Sequence, residues 1–201
     1  MDPGIQRLAE RGYDIAHAFD AHAAACEPGW EHLARGPRVG ILIGNTRALW
    51  EPFLAAANLD EADPLDRYTE RAIAAAFGDA PAYFTHREHG GAFLPFSRLA
   101  VATGLGALAP SHLVIHPIYG PWLALRAVVL VDGEPPARSP IPKPCTCAEA
   151  CATALAAALP STRWEDWLAV RDACPLRTYR YSVAQIRYHY SKAWGRSPRG
   201  G

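Results

Sequence analysis

Two arginines stand where a fixed positive charge could do chemistry. Arg126 interrupts the apolar run Trp122-Leu-Ala-Leu-Arg-Ala-Val-Val-Leu-Val131. Side chains along a strand alternate between faces, so Trp122, Ala124, Arg126, Val128 and Leu130 are expected to share one. A guanidinium on so apolar a face demands an anion, because an unpaired buried charge is very costly. That anion is either an internal carboxylate or the carboxylate of a ligand. Arg171 poses the same question on a helix, where Trp164, Trp167, Leu168 and Arg171 recur on one face. It either stacks on tryptophan and reaches for water, or forms an anion-binding fork at a pocket edge. Asp172 is then its neighbour or a solvated charge.

Other reactive residues are less organised. The cysteines Cys26, Cys145, Cys147, Cys151 and Cys174 are odd in number, which suits thiols or metal ligands better than a disulfide framework. The run Cys145-Thr-Cys147-Ala-Glu-Ala-Cys151 lacks the spacing of an iron–sulfur motif and the C-x-x-C knuckle usual for zinc, so free thiols are expected and no metal is assigned. His86 and His89 read as exposed loop residues, and His112 and His116 as neighbours on one strand face. Glu61/Asp63 and Glu165/Asp166 read as helix-end charges. There is no Walker A sequence, no G-x-G-x-x-G, no G-x-S-x-G and no H-E-x-x-H.

The elements that must position the two arginines are legible in outline. An amphipathic stretch from about Ile5 to Ala25 opens the chain and breaks at Gly36-Pro37. The apolar run Val39–Gly44 reads as a strand buried on both faces. Asn45 or Thr46 is placed to cap a helix carrying Trp50, Phe53, Leu54 and Ala57, and Pro64 to open another with Leu65, Tyr68, Ala72 and Ile73 on one side. Residues 81–95 suggest a strand at Ala82–Thr85 and a loop. A short helix follows near Ser97–Thr103, ending at Gly104-Leu-Gly106. Strands are expected at His112–His116 and Trp122–Val131, with a turn between them. Prolines at 135, 136, 140, 142 and 144 then impose an extended connection. Three helical pieces close the chain. Thr162/Glu165 and Ser182/Gln185 suggest capping boxes, and Tyr181/Ile186 a hydrophobic staple. Such a mixture indicates α/β or α+β layers.

With 201 residues, half of them hydrophobic, the chain can bury a substantial core. Its 20 basic and 20 acidic residues cancel, which gives nucleic acid or an anionic membrane surface nothing to recognise. No apolar run reaches the roughly 20 residues of a bilayer span, and the opening residues lack the pattern of a secretion leader. The cytoplasm is the expected compartment.

The segment Ile115-His-Pro-Ile-Tyr-Gly-Pro-Trp-Leu-Ala-Leu-Arg-Ala-Val-Val-Leu130 resembles the CblC (MMACHC) family of cobalamin-processing proteins, whose form is I-H-P-x-[FY]-G-x-W-[FL]-A-[IL]-R-x-V-V-L. The likeness continues to Lys143-Pro144 and Cys147. It resumes at Trp164-Glu-Asp-Trp-Leu-Ala-Val-Arg-Asp-Ala173 and Arg180-Tyr-Ser182, and upstream touches Gly40–Gly44, Pro52–Leu54 and Asp63–Asp66. About residues 35–196 are covered, within an expected single domain over 1–196 and a mobile tail at 197–201. The altered stretch is 97–110, where a helix histidine of the family is replaced by Val101. A more distant likeness is to the corrinoid domain of epoxyqueuosine reductases.

The resemblance implies an α+β, flavin-reductase-like (nitroreductase-related) sandwich with a mostly antiparallel sheet flanked by helices. It implies a protein that binds cobalamin base-off and removes its upper axial ligand. Alkylcobalamins would be dealkylated by glutathione, and cyanocobalamin decyanated with electrons from a flavin, FMN or FAD. It assigns Arg126, Arg171 and Arg196 to glutathione, whose two carboxylates suit forked arginines, and His116, Pro117, Tyr119, Gly120 and Trp122 to cobalamin. A monomer or ligand-dependent homodimer is expected. The rival readings are a non-catalytic corrinoid carrier and a flavin reductase without corrinoid.

Overall fold

The computed structural model describes residues 2–140, 142 and 148–190. Arg196, Cys145, Cys147, Lys143-Pro144 and the tail 197–201 lie outside the described residues. The centre is a four-stranded antiparallel sheet in the order β1 (Ile15–Asp20), β2 (Val39–Asn45), β8 (Ala124–Val131), β3 (Ala82–Phe84). Every residue of β2 is buried, because both faces of the sheet are covered. Val39, Ile41 and Ile43 pack with Ala127 and Val129 under α1 (Pro3–Glu10), α3 (Trp50–Ala56) and α4 (Pro64–Phe77). Leu42, Val128 and Leu130 meet Trp30, Leu33 and Leu99 on the other face, where α2 (Ala21–Ala24) and α5 (Phe96–Ala102) lie. Gly40 is required by that second layer: a Cβ there would stand 2.3 Å from the Phe19 ring.

The amphipathic stretch from Ile5 to Ala25 is not one helix. Asp2 Oδ1 caps α1 by accepting from Gly4 N at 2.7 Å, and the helix stops at Gly12, which has φ +86°. A Cβ at Gly12 would come 2.5 Å from Leu49 Cα, so close packing as well as φ reserves this position for glycine. Ile15–Asp20 then pair with Val39–Gly44 of β2, and tertiary pairing overrides the helical periodicity. The expected strand His112–His116 shrinks to β7 (Val114–Ile115), paired with β6 (Ala107–Leu108) rather than with the next long strand. His112 has φ +60° and lies outside it, so His112 and His116 share no strand face. A small hairpin, β4 (Glu88–His89) with β5 (Ala92–Phe93), fills the expected loop.

The last three helices are α6 (Ala148–Ala158), α7 (Trp164–Asp172) and α8 (Val183–Tyr190). The Thr162/Glu165 capping box is absent: the N-cap is Arg163, and Ser161 Oγ instead accepts from Arg163 N at 3.1 Å and donates to Asp166 Oδ2 at 2.5 Å. At α8 only half of the expected box forms. Ser182 Oγ accepts from Gln185 N at 3.2 Å, while both polar atoms of the Gln185 amide are buried without a partner. Tyr181 and Ile186 do meet, around Trp122. No helix among the described residues is long and apolar enough to cross a membrane.

Candidate functional site

The bulge in β8 decides where Arg126 points. Ile43 pairs with Ala127 and Gly44 with Leu125, so Arg126 is the extra residue of a β-bulge. The alternation expected from Trp122 to Leu130 breaks there. Val128 and Leu130 stay in the second core, while Arg126 lies within electrostatic reach of Tyr13, Asp66, Tyr188 and His189 on the side of α4 and α8. Its Nε donates to Asn45 Oδ1 at 2.7 Å, and Asn45 is fully buried, with its amide nitrogen donating to Thr46 O at 2.8 Å. Thr46 N in turn donates to Asp14 at 2.7 Å. Among the described residues no carboxylate forms an ion pair with Arg126, and its Nη2 is buried without a partner.

Arg171 stacks on a tryptophan, but one from outside its helix. Its guanidinium lies 4.9 Å from the Trp122 ring centre and 5.1 Å from that of Tyr181. Nη2 donates to Pro121 O and, at 3.2 Å, to Leu123 O, while Nη1 donates to Tyr190 Oη at 3.4 Å. Arg171 thus fastens α7 to the residues entering β8, and its Nε is left buried and unpartnered. Asp172 is not its partner; it holds Arg180 through two bonds of 2.7 and 2.9 Å. Trp122 is fully buried beneath both guanidiniums, at 4.9 and 5.3 Å, so it supports this region from the core rather than offering a surface.

Both arginines converge on Tyr181 and His189, each of which feels Arg126 and Arg171. The Tyr181 hydroxyl is buried close to Arg171 but without a hydrogen bond of acceptable geometry, and burial holds its phenol above the usual range. His189 Nε2 is likewise buried and unpartnered. Burial first, then the two guanidiniums, push its imidazole down to about 3. Beside this cluster lies an open groove of about 410 Å³, lined by Leu113, Trp164, Trp167 and Val170, with Arg171 and Tyr190 shared between groove and cluster.

The other predicted residues form a turn next to β8. His116 and Gly120 exchange backbone hydrogen bonds of 3.0 and 2.9 Å. His116 Nδ1 accepts from Ile118 N at 3.1 Å and Tyr119 N at 3.3 Å, so the imidazole builds the turn. Burial and the nearby His17 keep it below its ordinary range, which preserves the lone pair those bonds need. The His116 and Tyr119 rings stack at 4.4 Å and 20°, Tyr179 meets Tyr119 edge-on at 4.7 Å, and Arg47 lies 5.7 Å from the Tyr179 ring. Pro117 and Ile118 are exposed at its tip. Gly120 has φ +58°, and a Cβ there would lie 2.6 Å from both Leu176 Cβ and O. Gly120→Ala is expected to cost about 2 kcal/mol or more in urea unfolding, from left-handed strain plus overpacking; a cost below ~0.5 kcal/mol would show the turn to be adaptable.

Residues that the sequence reading did not place at the site therefore include Tyr179, Tyr181, Gln185, His189 and Asn45, the last considered only as a helix cap. Gln185 and Tyr181 entered only as a cap and a staple, and nothing in spacing marks a buried amide that its cap does not use. Among the described residues Cys26, Cys151 and Cys174 are free thiols and no group of three or more metal-ligating side chains occurs. His86 is not a free loop residue; its nitrogens lie 2.9 Å from Glu70 and 3.5 Å from Asp66. His89 Nε2 is 3.0 Å from Phe84 N and serves the hairpin.

Comparison with known proteins gives a fold. No protein-family model and no curated protein sequence matches the chain. Among solved structures it is similar to a B12-trafficking protein CblC of C. elegans, a homologue of human MMACHC. The TM-score is 0.63 at 16% identity, covering 98% of this chain and 95% of that one. Epoxyqueuosine reductase from Bacillus subtilis has a TM-score of 0.46 at 16% identity, over 74% of this chain and 50% of that one. The α+β fold with a mostly antiparallel sheet, expected from the motif resemblance, is the fold observed and is shared with CblC.

Proposed function

We propose that this protein binds cobalamin base-off and removes its upper axial ligand, using glutathione to dealkylate alkylcobalamins and flavin-derived electrons to decyanate cyanocobalamin. The observation that carries this reading is the convergence of Arg126 and Arg171 on one buried polar cluster, each with a guanidinium nitrogen that has no partner. Buried N–H donors without acceptors are expensive, and an incoming carboxylate relieves that cost. Glutathione brings two carboxylates and the thiol that attacks the alkyl carbon. The turn at His116–Gly120, with the Tyr119 and Tyr179 rings, is the surface offered to the corrin, and Trp122 anchors it from below. Arg196 is the third arginine of the proposed set. The shared fold with a B12-trafficking protein supports a corrinoid ligand. Flavin enters as the reductant of the second route; no residue is assigned to it and no step is routed through it.

The test is an absorption titration of methylcobalamin with purified protein, followed by glutathione under anaerobic conditions. A base-off shift on protein addition and then formation of cob(I)alamin and S-methylglutathione are expected. An unchanged spectrum removes the corrinoid reading. A shift without turnover leaves a carrier.

A further inference from the structure

We propose that His189 receives the proton of the thiol nucleophile, and that the substrate's own carboxylates enable it to do so by neutralising Arg126 and Arg171; this rests on the dealkylation reading. The ring is held between Tyr181, at 5.5 Å, and Tyr188, edge-on at 5.7 Å. Charge reaches it from Arg126 on β8 and Arg171 on α7, and among the described residues no carboxylate adds to its surroundings. Tyr181 and Tyr188 are the titratable groups against it from its own segment, both with phenols held up by burial and therefore neutral at pH 7. Its Nε2 has no partner. The same holds for the Tyr181 hydroxyl and the Gln185 amide, whose residues are only 2% and 1% exposed. Tyr181 and His189, unsatisfied beside two incompletely used guanidiniums, leave donors and acceptors to a ligand, and the Gln185 amide lies one helical turn before His189.

In the free protein the imidazole is neutral, with its lone pair available, but it is a weak base because burial and two cations both disfavour the imidazolium. A ligand carboxylate at each guanidinium cancels the cationic part of that penalty. A thiolate forming beside the ring supplies the counter-ion that the free protein lacks, as in a thiolate–imidazolium pair. The step balances. The S–H proton moves to Nε2 and the sulfur pair forms the bond to the alkyl carbon. The cobalt–carbon bond breaks with its electron pair left on cobalt, and the imidazolium returns the proton to water when the thioether leaves. Free protein thereby keeps the base inactive until the anionic thiol has bound.

The experiment measures methyl transfer from methylcobalamin to glutathione by the full chain between pH 5.5 and 9.5, for wild type, His189→Phe and His189→Gln. Phenylalanine keeps the ring packing and glutamine keeps polarity, so one of them reports even where the other fails to fold. At pH 7 both are expected to lose at least about tenfold in rate, with KM for glutathione within about twofold. Their rates should then climb about tenfold per pH unit towards the free-thiol range near 8.5 and approach wild type there. Profiles parallel to wild type, or an unchanged rate at pH 7, overturn the role of His189 and leave the dealkylation reading standing. Absence of turnover in wild type overturns both.

Discussion

Arg171→Met is expected to lower the unfolding free energy by about 3 kcal/mol, and Arg126→Met to leave it within about 1 kcal/mol. Both side chains are part-buried guanidiniums of the proposed glutathione site, yet they are tied to the fold differently. Arg171 donates to two backbone carbonyls, those of Pro121 and Leu123, and lies over the Trp122 and Tyr181 rings. Hydrogen bonds from a charged donor contribute about 1.5–3 kcal/mol each, and a partly desolvated cation–π contact about 1–2 kcal/mol. Methionine refills much of the volume, so the loss lands below the sum. Arg126 makes one bond, to Asn45 Oδ1, and carries a buried Nη2 with no partner. Losing that bond orphans a buried amide oxygen, but the desolvation of an unneutralised cation disappears with it. The two changes offset. Urea midpoints at constant m-value measure the difference. Glutathione turnover should fall in both variants, and only Arg126→Met does so in a chain of wild-type stability. Equal destabilisation by the two would make Arg126 a clamp of the fold and remove the argument that its free nitrogen waits for a ligand.

Much of the scaffold around these arginines was legible because local and tertiary preferences agree there. Val39–Gly44 reads as a doubly buried strand and is one. Pro64 opens the helix it was expected to open. Thr46 Oγ, accepting from Ala48 N at 3.3 Å, instead caps a 3-10 turn at Arg47–Leu49, and α3 itself starts after Leu49 without a side-chain cap. The failures share a cause, which is that pairing partners are chosen by the whole sheet. Ile15–Asp20 continues an amphipathic stretch that starts as the helix α1, but it pairs with β2 as a strand. His112 sits in a turn because Leu108 and Val114 pair. The face of Arg126 was misread for a subtler reason. Period-two counting assumes unbroken register, and a single extra residue opposite Ile43 and Gly44 turns the guanidinium away from Val128 and Leu130 towards Asp66 and His189. Nothing in the residue types announces that bulge. Of the two readings offered for Arg171, the stacking one holds in part: the guanidinium lies over a tryptophan, but it donates to Pro121 O, Leu123 O and Tyr190 Oη instead of reaching for water. The tryptophan, Trp122, comes from 49 positions earlier in the chain, a contact that no helical wheel contains.

Acid should expose the cost of burying His189. Its imidazole is held down to about 3, against an unfolded value near 6.5. Between those limits the unfolded chain binds a proton that the folded chain refuses, so stability falls as pH falls. Below about 3 both states carry the proton and the loss is complete, while above about 6.5 neither does and His189 adds no pH dependence. At about 1.4 kcal/mol per unit, the loss through this one residue is on the order of 5 kcal/mol across the window. The depressed His32 and His116, lowered chiefly by burial, act in the same direction, and so at lower pH do carboxylates held down by partners, such as Asp20 and Glu70. Asp66, raised by burial, acts in the opposite direction. The quantity to measure is therefore the difference between wild type and His189→Phe, by urea unfolding at pH 7, 5.5 and 4.5. The variant should lose less stability at each step, with the gap widening steadily towards acid. At pH 7 it should match or exceed wild type, because an unpartnered buried nitrogen has been removed. Identical slopes would mean that the folded protein admits a proton at His189 in the presence of both guanidiniums, and the imidazole would then need no anionic ligand to become a base.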